Sequence, residues 1–111
     1  MPTVKATRVD RTLPKYKSKW EQEYADILQA RLLTGEIRWW KYEALRFRLA
    51  QGAMVTIDFA VVAKDGTFEM HEVKGQWREA AKVRWKFLLE HYPFVFLLVR
   101  KKGKHFTVED V

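Results

Sequence analysis

The chain has 111 residues, of which 48 % are hydrophobic and 14 % aromatic, with a formal net charge of +7. That is enough for one domain with a real core, and a compact basic protein of this size favours polyanions. Cysteine is absent, which excludes disulfides and thiolate metal sites; no apolar run reaches spanning length, so a soluble cytoplasmic protein with no membrane partner is expected.

Residues 1–17 read as a basic N-terminal arm. Lys5, Arg8, Arg11, Lys15 and Lys17 stand against Asp10, and Pro2 and Pro14 interrupt the segment. It is either a solvated terminus or a phosphate-contacting arm. Residues 18–111 then form a single domain.

A helix is predicted from Ser18, which can cap it, with Glu21 three residues later in a capping-box arrangement. Trp20, Tyr24, Ile27, Leu28 and Leu32 recur at helical spacing, and Gly35 ends the run. At about 100° per residue Glu21 falls inside that apolar arc. Leu45, Phe47 and Leu49 alternate with Arg46 and Arg48, which predicts a strand. Trp39 and Trp40 fit a short strand or a packed loop, and Gln51-Gly52 turns the chain.

Strands are predicted from Met54 to Val62 and from Thr67 to Lys74, joined by Lys64-Asp65-Gly66. A two-residue turn would place Asp58 and Glu72 on opposite faces. A three-residue loop with Gly66 in a left-handed bulge pairs Asp58 with Glu72, Ala60 with Met70 and Val62 with Phe68. The second register makes one consistent face and is preferred. Both faces are largely apolar, so the sheet should be covered on both sides.

A second helix should run from Arg78 to Tyr92, closed by Pro93. Its inner stripe is Ala81, Trp85, Leu88, Leu89 and Tyr92, and Arg78, Lys82 and Lys86 recur on another side. A buried strand from Phe94 to Arg100 and a short one from Phe106 to Val108 close the chain. The order is helix, three or four strands, helix, strand.

Glu72 and Lys74 are two apart on a strand and therefore share a face. Asp58 joins them in the preferred register. Two neighbouring carboxylates repel, and a hard cation resolves that repulsion. Mg²⁺ suits oxygen ligands and bridges to substrate phosphate. Asp58 and Glu72 would be side-chain ligands and the Val73 carbonyl a further one. Lys74 would hold or deprotonate a water or stabilise transition-state charge. Glu21 could complete the acidic pocket. The competing readings are an exposed Glu72–Lys74 pair on an edge strand and a pure capping role for Glu21. Asp58 weighs against the first, because an unpartnered acid inside an apolar strand is costly. Arg78, Lys82 and Lys86 are either a solvated face or a phosphate grip, and Trp77 either stacks on a base or packs in the core. Gly75 lets the strand turn and keeps the site open. His71 alternates to the other face as a structural neighbour of Phe59.

Thr56-Ile57-Asp58-Phe59 followed by His71-Glu72-Val73-Lys74-Gly75 resembles the PD-(D/E)XK nuclease superfamily. It is similar in particular to small phage-encoded and junction-resolving endonucleases. Ser18-Lys19-Trp20-Glu21, Trp77 and the basic stretch Lys82 to Lys86 fall in the matching order. Ile57 stands where a proline usually precedes the aspartate, and Glu79-Ala80 where an acidic pair is common. The resemblance implies a restriction-endonuclease-like α/β/α core and two-metal Mg²⁺ phosphodiester hydrolysis, with Mn²⁺ as a substitute. It makes Asp58 and Glu72 ligands, Lys74 the catalytic lysine and Glu21 an accessory acid. Lys19, Gly75, Trp77, Arg78, Lys82 and Lys86 would then contact nucleic acid. The expected activity is a phage-borne endonuclease acting on DNA (RNA remaining open), directed by structure more than by sequence. Symmetric cutting would favour a homodimer. The alternative is a nucleic-acid-binding module of the same fold without turnover.

Overall fold

The computed structural model describes residues 16–75 and 78–110. It is a mixed α/β arrangement of two helices and a mixed sheet. Among the described residues no helix is long and apolar enough to cross a membrane.

The first helix, α1 (Lys19–Leu33), starts where the sequence places it. Ser18 has extended backbone angles, and its Oγ accepts the Glu21 N–H at 3.2 Å. The helix closes at Thr34, followed by Gly35 at φ +80°. Its buried stripe is Glu21, Tyr24, Ala25 and Leu28, a regular i, i+3, i+4, i+7 pattern. This corrects the predicted stripe: Trp20 and Ile27 are about two-fifths exposed, because the helix is rolled to seat Glu21 and Tyr24. Tyr16 and Lys17, read as the end of the arm, pack on the body. Tyr16 meets the Tyr42 ring edge-on at 4.6 Å, and the Lys17 N–H donates to Glu21 Oε1 at 2.8 Å. The rest of the arm, residues 1–15, lies outside the described residues.

Among the described residues five strands precede the second helix: β1 (Ile37–Tyr42), β2 (Arg46–Arg48), β3 (Met54–Thr56), β4 (Phe59–Ala63) and β5 (Phe68–Lys74). Trp39 and Trp40 thus belong to a full strand. The second helix, α2 (Glu79–His91), leads to β6 (Val95–Lys102) and β7 (His105–Asp110). The main sheet has the order β1-β4-β5-β6-β7, parallel between β5 and β6 and antiparallel elsewhere; β2 and β3 form a separate two-stranded sheet.

Alternation along the central strands explains why a helix lies on each face. Phe59, Val61, Val73 and Val99 point to α1, where they bury Tyr24, Ala25 and Leu28. Ala60, Met70 and Phe96 point the other way, against Trp85 and Leu88 of α2 and Phe47 of the small sheet. On α2, Leu89, assigned to the inner stripe, is instead 39 % exposed.

The β4–β5 register is the three-residue one. Ala60 pairs with Met70 and Val62 with Phe68, the Ala63 N–H donates to the Thr67 carbonyl at 2.8 Å, and Gly66 has φ +92°. One expectation fails nearby. The predicted strand Met54–Val62 is broken at Ile57-Asp58, and its halves belong to different sheets. The cause is a competing partner: the Ile57 N–H donates to the Leu45 carbonyl at 3.1 Å and so leaves the main sheet.

Candidate active site

The break creates the site. Hydrogen-bonded pairs in this hairpin fall at Ala63–Thr67 and every second residue onward, so the ladder would next join Ile57 to Val73. With Ile57 turned to Leu45, the Val73 N–H is left facing a gap. Asp58 fills it: its Oδ2 accepts the Val73 N–H at 2.9 Å. The Asp58 N–H in turn donates to Glu72 Oε1 at 3.0 Å. In an extended strand a residue's N–H and carbonyl point the same way, so the Val73 carbonyl also faces this gap.

Lys74 lies on the Glu72 face, its Nζ 3.3 Å from Glu72 Oε2 and its side chain 31 % exposed. Glu21 approaches from α1, where its Oε1 accepts the Tyr42 hydroxyl at 2.8 Å and the Lys17 N–H at 2.8 Å. One half of the capping box predicted at Glu21 forms, its N–H on Ser18 Oγ, while its carboxylate takes the Lys17 N–H and is fixed toward Tyr42.

These acids are nearly closed to water, Asp58 at 6 % exposure and Glu72 at 9 %. Burial and the negative charge of Glu72 push the Asp58 carboxyl up to about 8, against the lowering effect of the Val73 N–H bond. Burial also raises Glu72, and Lys74 opposes it. Glu21 adds a smaller upward push to both. The three carboxylates thus feel one another in a poorly solvated place.

The available donors are all oxygen: the Asp58 and Glu72 carboxylates and the Val73 carbonyl. That set fits Mg²⁺, which commonly takes one or two carboxylates and keeps several waters. Among the described residues no group of three acidic or imidazole side chains is already gathered as a metal cage. Glu21, whose Oε1 accepts hydrogen bonds from the Lys17 N–H and the Tyr42 hydroxyl, lies close enough to act on the charge of Asp58. Glu72 and Lys74 rim a small pocket of about 30 Å³ walled by Val55, Ile57 and Trp85. It has room for on the order of one or two waters.

Lys74 also borders a larger open cleft of about 640 Å³, lined by Trp20, Gly75, Arg78 and Arg84 among others. The chain matches no protein-family model, no curated protein and no solved structure.

The cleft brings together some of the residues expected to meet nucleic acid and leaves others apart. Gly75 and Arg78 line it. Lys19, Lys82 and Lys86 are exposed and outside its lining, and Lys82 is turned to Glu79 Oε1 at 3.4 Å. Trp77 lies outside the described residues. His71 is structural, as expected: it pairs with Phe59 across the strands, with Nδ1 2.6 Å from the Tyr24 hydroxyl and Nε2 2.9 Å from Glu69.

Sequence reasoning missed Arg84, Trp20 and Tyr42. Arg84 was legible: it follows Ala81 by three and precedes Leu88 by four, at the flank of the inner stripe. Trp20 was absorbed into the apolar arc. Nothing in the sequence signals that Tyr42 reaches Glu21 across 21 residues.

Proposed function

We propose that this protein is a Mg²⁺-dependent endonuclease hydrolysing phosphodiester bonds of DNA, with the restriction-endonuclease-like core of the PD-(D/E)XK superfamily it resembles. The observation that carries the reading is the Asp58–Glu72 interlock beside Lys74. Two buried carboxylates are held together at the cost of their own ionisation, beside a lysine that lines an open cationic cleft. Such a pair destabilises a protein that has no cation to offer it. A Mg²⁺ held by Asp58, Glu72 and the Val73 carbonyl would neutralise charge on the phosphate and acidify the attacking water.

The chain's own groups do the rest. The Val73 N–H orients Asp58, and the Asp58 N–H orients Glu72, so neither carboxylate needs to reorganise when a cation arrives. The Lys74 ammonium, anchored on Glu72, stands between the acids and the cleft, where it stabilises charge building on the phosphoryl oxygens. Tyr42 holds Glu21 in place, keeping a third negative charge close and favouring cation entry. Arg78 and Arg84 grip the phosphates on either side of the scissile bond.

One such site cuts one strand, so nicking is the elementary reaction, and symmetric cleavage of a duplex calls for two copies. The test is cleavage of linear duplex, single strand and four-way junction side by side, in Mg²⁺ and in EDTA. Cutting in Mg²⁺ that EDTA abolishes supports the enzyme. Binding of all three without cutting in either condition favours the non-catalytic module, whose acids would then serve only to close the strand break.

A further inference from the structure

We infer that the cleft receives an unpaired nucleotide, its base stacked on Trp20 and its flanking phosphates held by Lys74, Arg78 and Arg84. This rests on the phosphodiester reading of the adjacent acids and names the substrate class: nucleic acid with a single-stranded or flipped-out residue at the cut.

Three observations lead there. The first is the tryptophan itself. The roll of α1 that buries Glu21, Tyr24 and Leu28 leaves Trp20 41 % exposed on the cleft wall. The six-membered ring of its indole lies so close to Gly75 that a β-carbon there would collide with it. One part of the ring is therefore held by the backbone just after Lys74, and the remainder is offered to the cleft.

The second is charge. Several basic side chains of the fold are paired with acids: Lys17 with Glu43, Lys82 with Glu79 and Lys101 with Glu23. Arg78 and Arg84 have no ion pair among the described residues, yet both line the cleft. Uncompensated guanidinium groups in a concavity are suited to phosphate.

The third is size. About 640 Å³ is ligand-sized, and Ala80 and Ala81 keep the floor low. A base inside an intact duplex cannot lie on an indole set in a concavity, whereas an unstacked one can, and stacking tolerates any base.

The test measures binding in EDTA, where no turnover intervenes. Fluorescence anisotropy compares a labelled single strand with the same sequence as intact duplex, for the parent, Trp20→Ala and Trp20→Phe. Trp20→Ala should weaken single-strand binding roughly tenfold, and Trp20→Phe should restore most of it. Duplex binding should stay within about twofold for both variants, as phosphate contacts dominate it. An equal loss on both substrates, or none on either, overturns the inference.

A 2-aminopurine base in the single strand gives a readout on the parent that needs no variant. Its fluorescence should be quenched on binding, and an unquenched complex overturns the inference. Trp20-dependent single-strand binding without cleavage in Mg²⁺ upholds this inference and sinks the nuclease. Cleavage with Trp20-independent binding does the reverse.

Discussion

Asp58 and Glu72 are tied together through the backbone: the Asp58 N–H donates to Glu72 Oε1 at 3.0 Å, and Asp58 Oδ2 takes the N–H of the residue after Glu72 at 2.9 Å. The Asp58 carboxylate substitutes for the ladder bond that the departing strand no longer makes, and the Glu72 carboxylate takes the Asp58 N–H. The interlock is thus structural and electrostatic at once. It closes a gap in the sheet, and it confines two carboxyl groups where water barely reaches.

That confinement gives stability an unusual pH dependence. Asp58 ionises near 4 when unfolded and at about 8 in the fold, raised by burial and by Glu72. Between those values the folded chain holds a proton that the unfolded chain has lost. The contribution of Asp58 to stability therefore falls as pH rises from about 4 to about 8, and levels off above. Asp58→Asn keeps an acceptor for the Val73 N–H and removes the charge. In EDTA it should be more stable than the parent by about 1–3 kcal/mol at pH 8.5, with little difference at pH 4. Urea melts at the two pH values check this, and an Asp58→Asn variant whose advantage over the parent does not grow from pH 4 to pH 8.5 would contradict it.

Mg²⁺ should act on the same group in the opposite sense. Binding requires the ionised carboxylates, so it releases a proton below about pH 8. The rise in melting temperature on adding Mg²⁺ should grow from pH 5.5 to about 8 and then plateau. Asp58→Asn should lose most of that rise. Differential scanning fluorimetry across a pH series reads both effects.

Tyr42→Phe removes the hydroxyl that donates to the buried Glu21 carboxylate at 2.8 Å. A hydrogen bond to a charged acceptor is lost without a compensating gain, at a cost of about 1–3 kcal/mol. Activity should fall as well, because Glu21 is no longer held near Asp58. If equilibrium denaturation finds Tyr42→Phe as stable as the parent, Glu21 is not anchored as described.

Gly75→Ala should displace the Trp20 indole, whose ring occupies the space a β-carbon would need. Because Trp20 is partly exposed, the ring can swing away, and the stability cost should stay within about 1 kcal/mol. The effect should appear instead as weakened single-strand binding, similar to that of Trp20→Ala. Anisotropy titration beside a thermal melt separates the two quantities.

Local chemistry was legible and tertiary competition was not. Ser18 caps α1 and Gly66 takes a positive φ because each signal acts over a few residues, and the Gly66 loop sets the β4–β5 register that was expected. The strand break could not be read the same way. Met54 to Val62 has a continuous strand composition, and only the Leu45 carbonyl, twelve residues from Ile57, draws the chain into a second sheet. The apolar arc of α1 was similarly ambiguous. Trp20 and Ile27 fit it as well as Ala25 does, and the roll of the helix was decided by polar partners, Tyr42 for Glu21 and His71 for Tyr24.

Nicking of supercoiled plasmid in Mg²⁺ by the parent, Glu72→Ala and Lys74→Ala tests the proposed chemistry most directly. The parent should convert supercoiled to open circular DNA. Both variants should be slower by about a hundredfold or more while melting within a few degrees of the parent. Variants that nick as fast as the parent would contradict a role for the Asp58–Glu72–Lys74 site in catalysis.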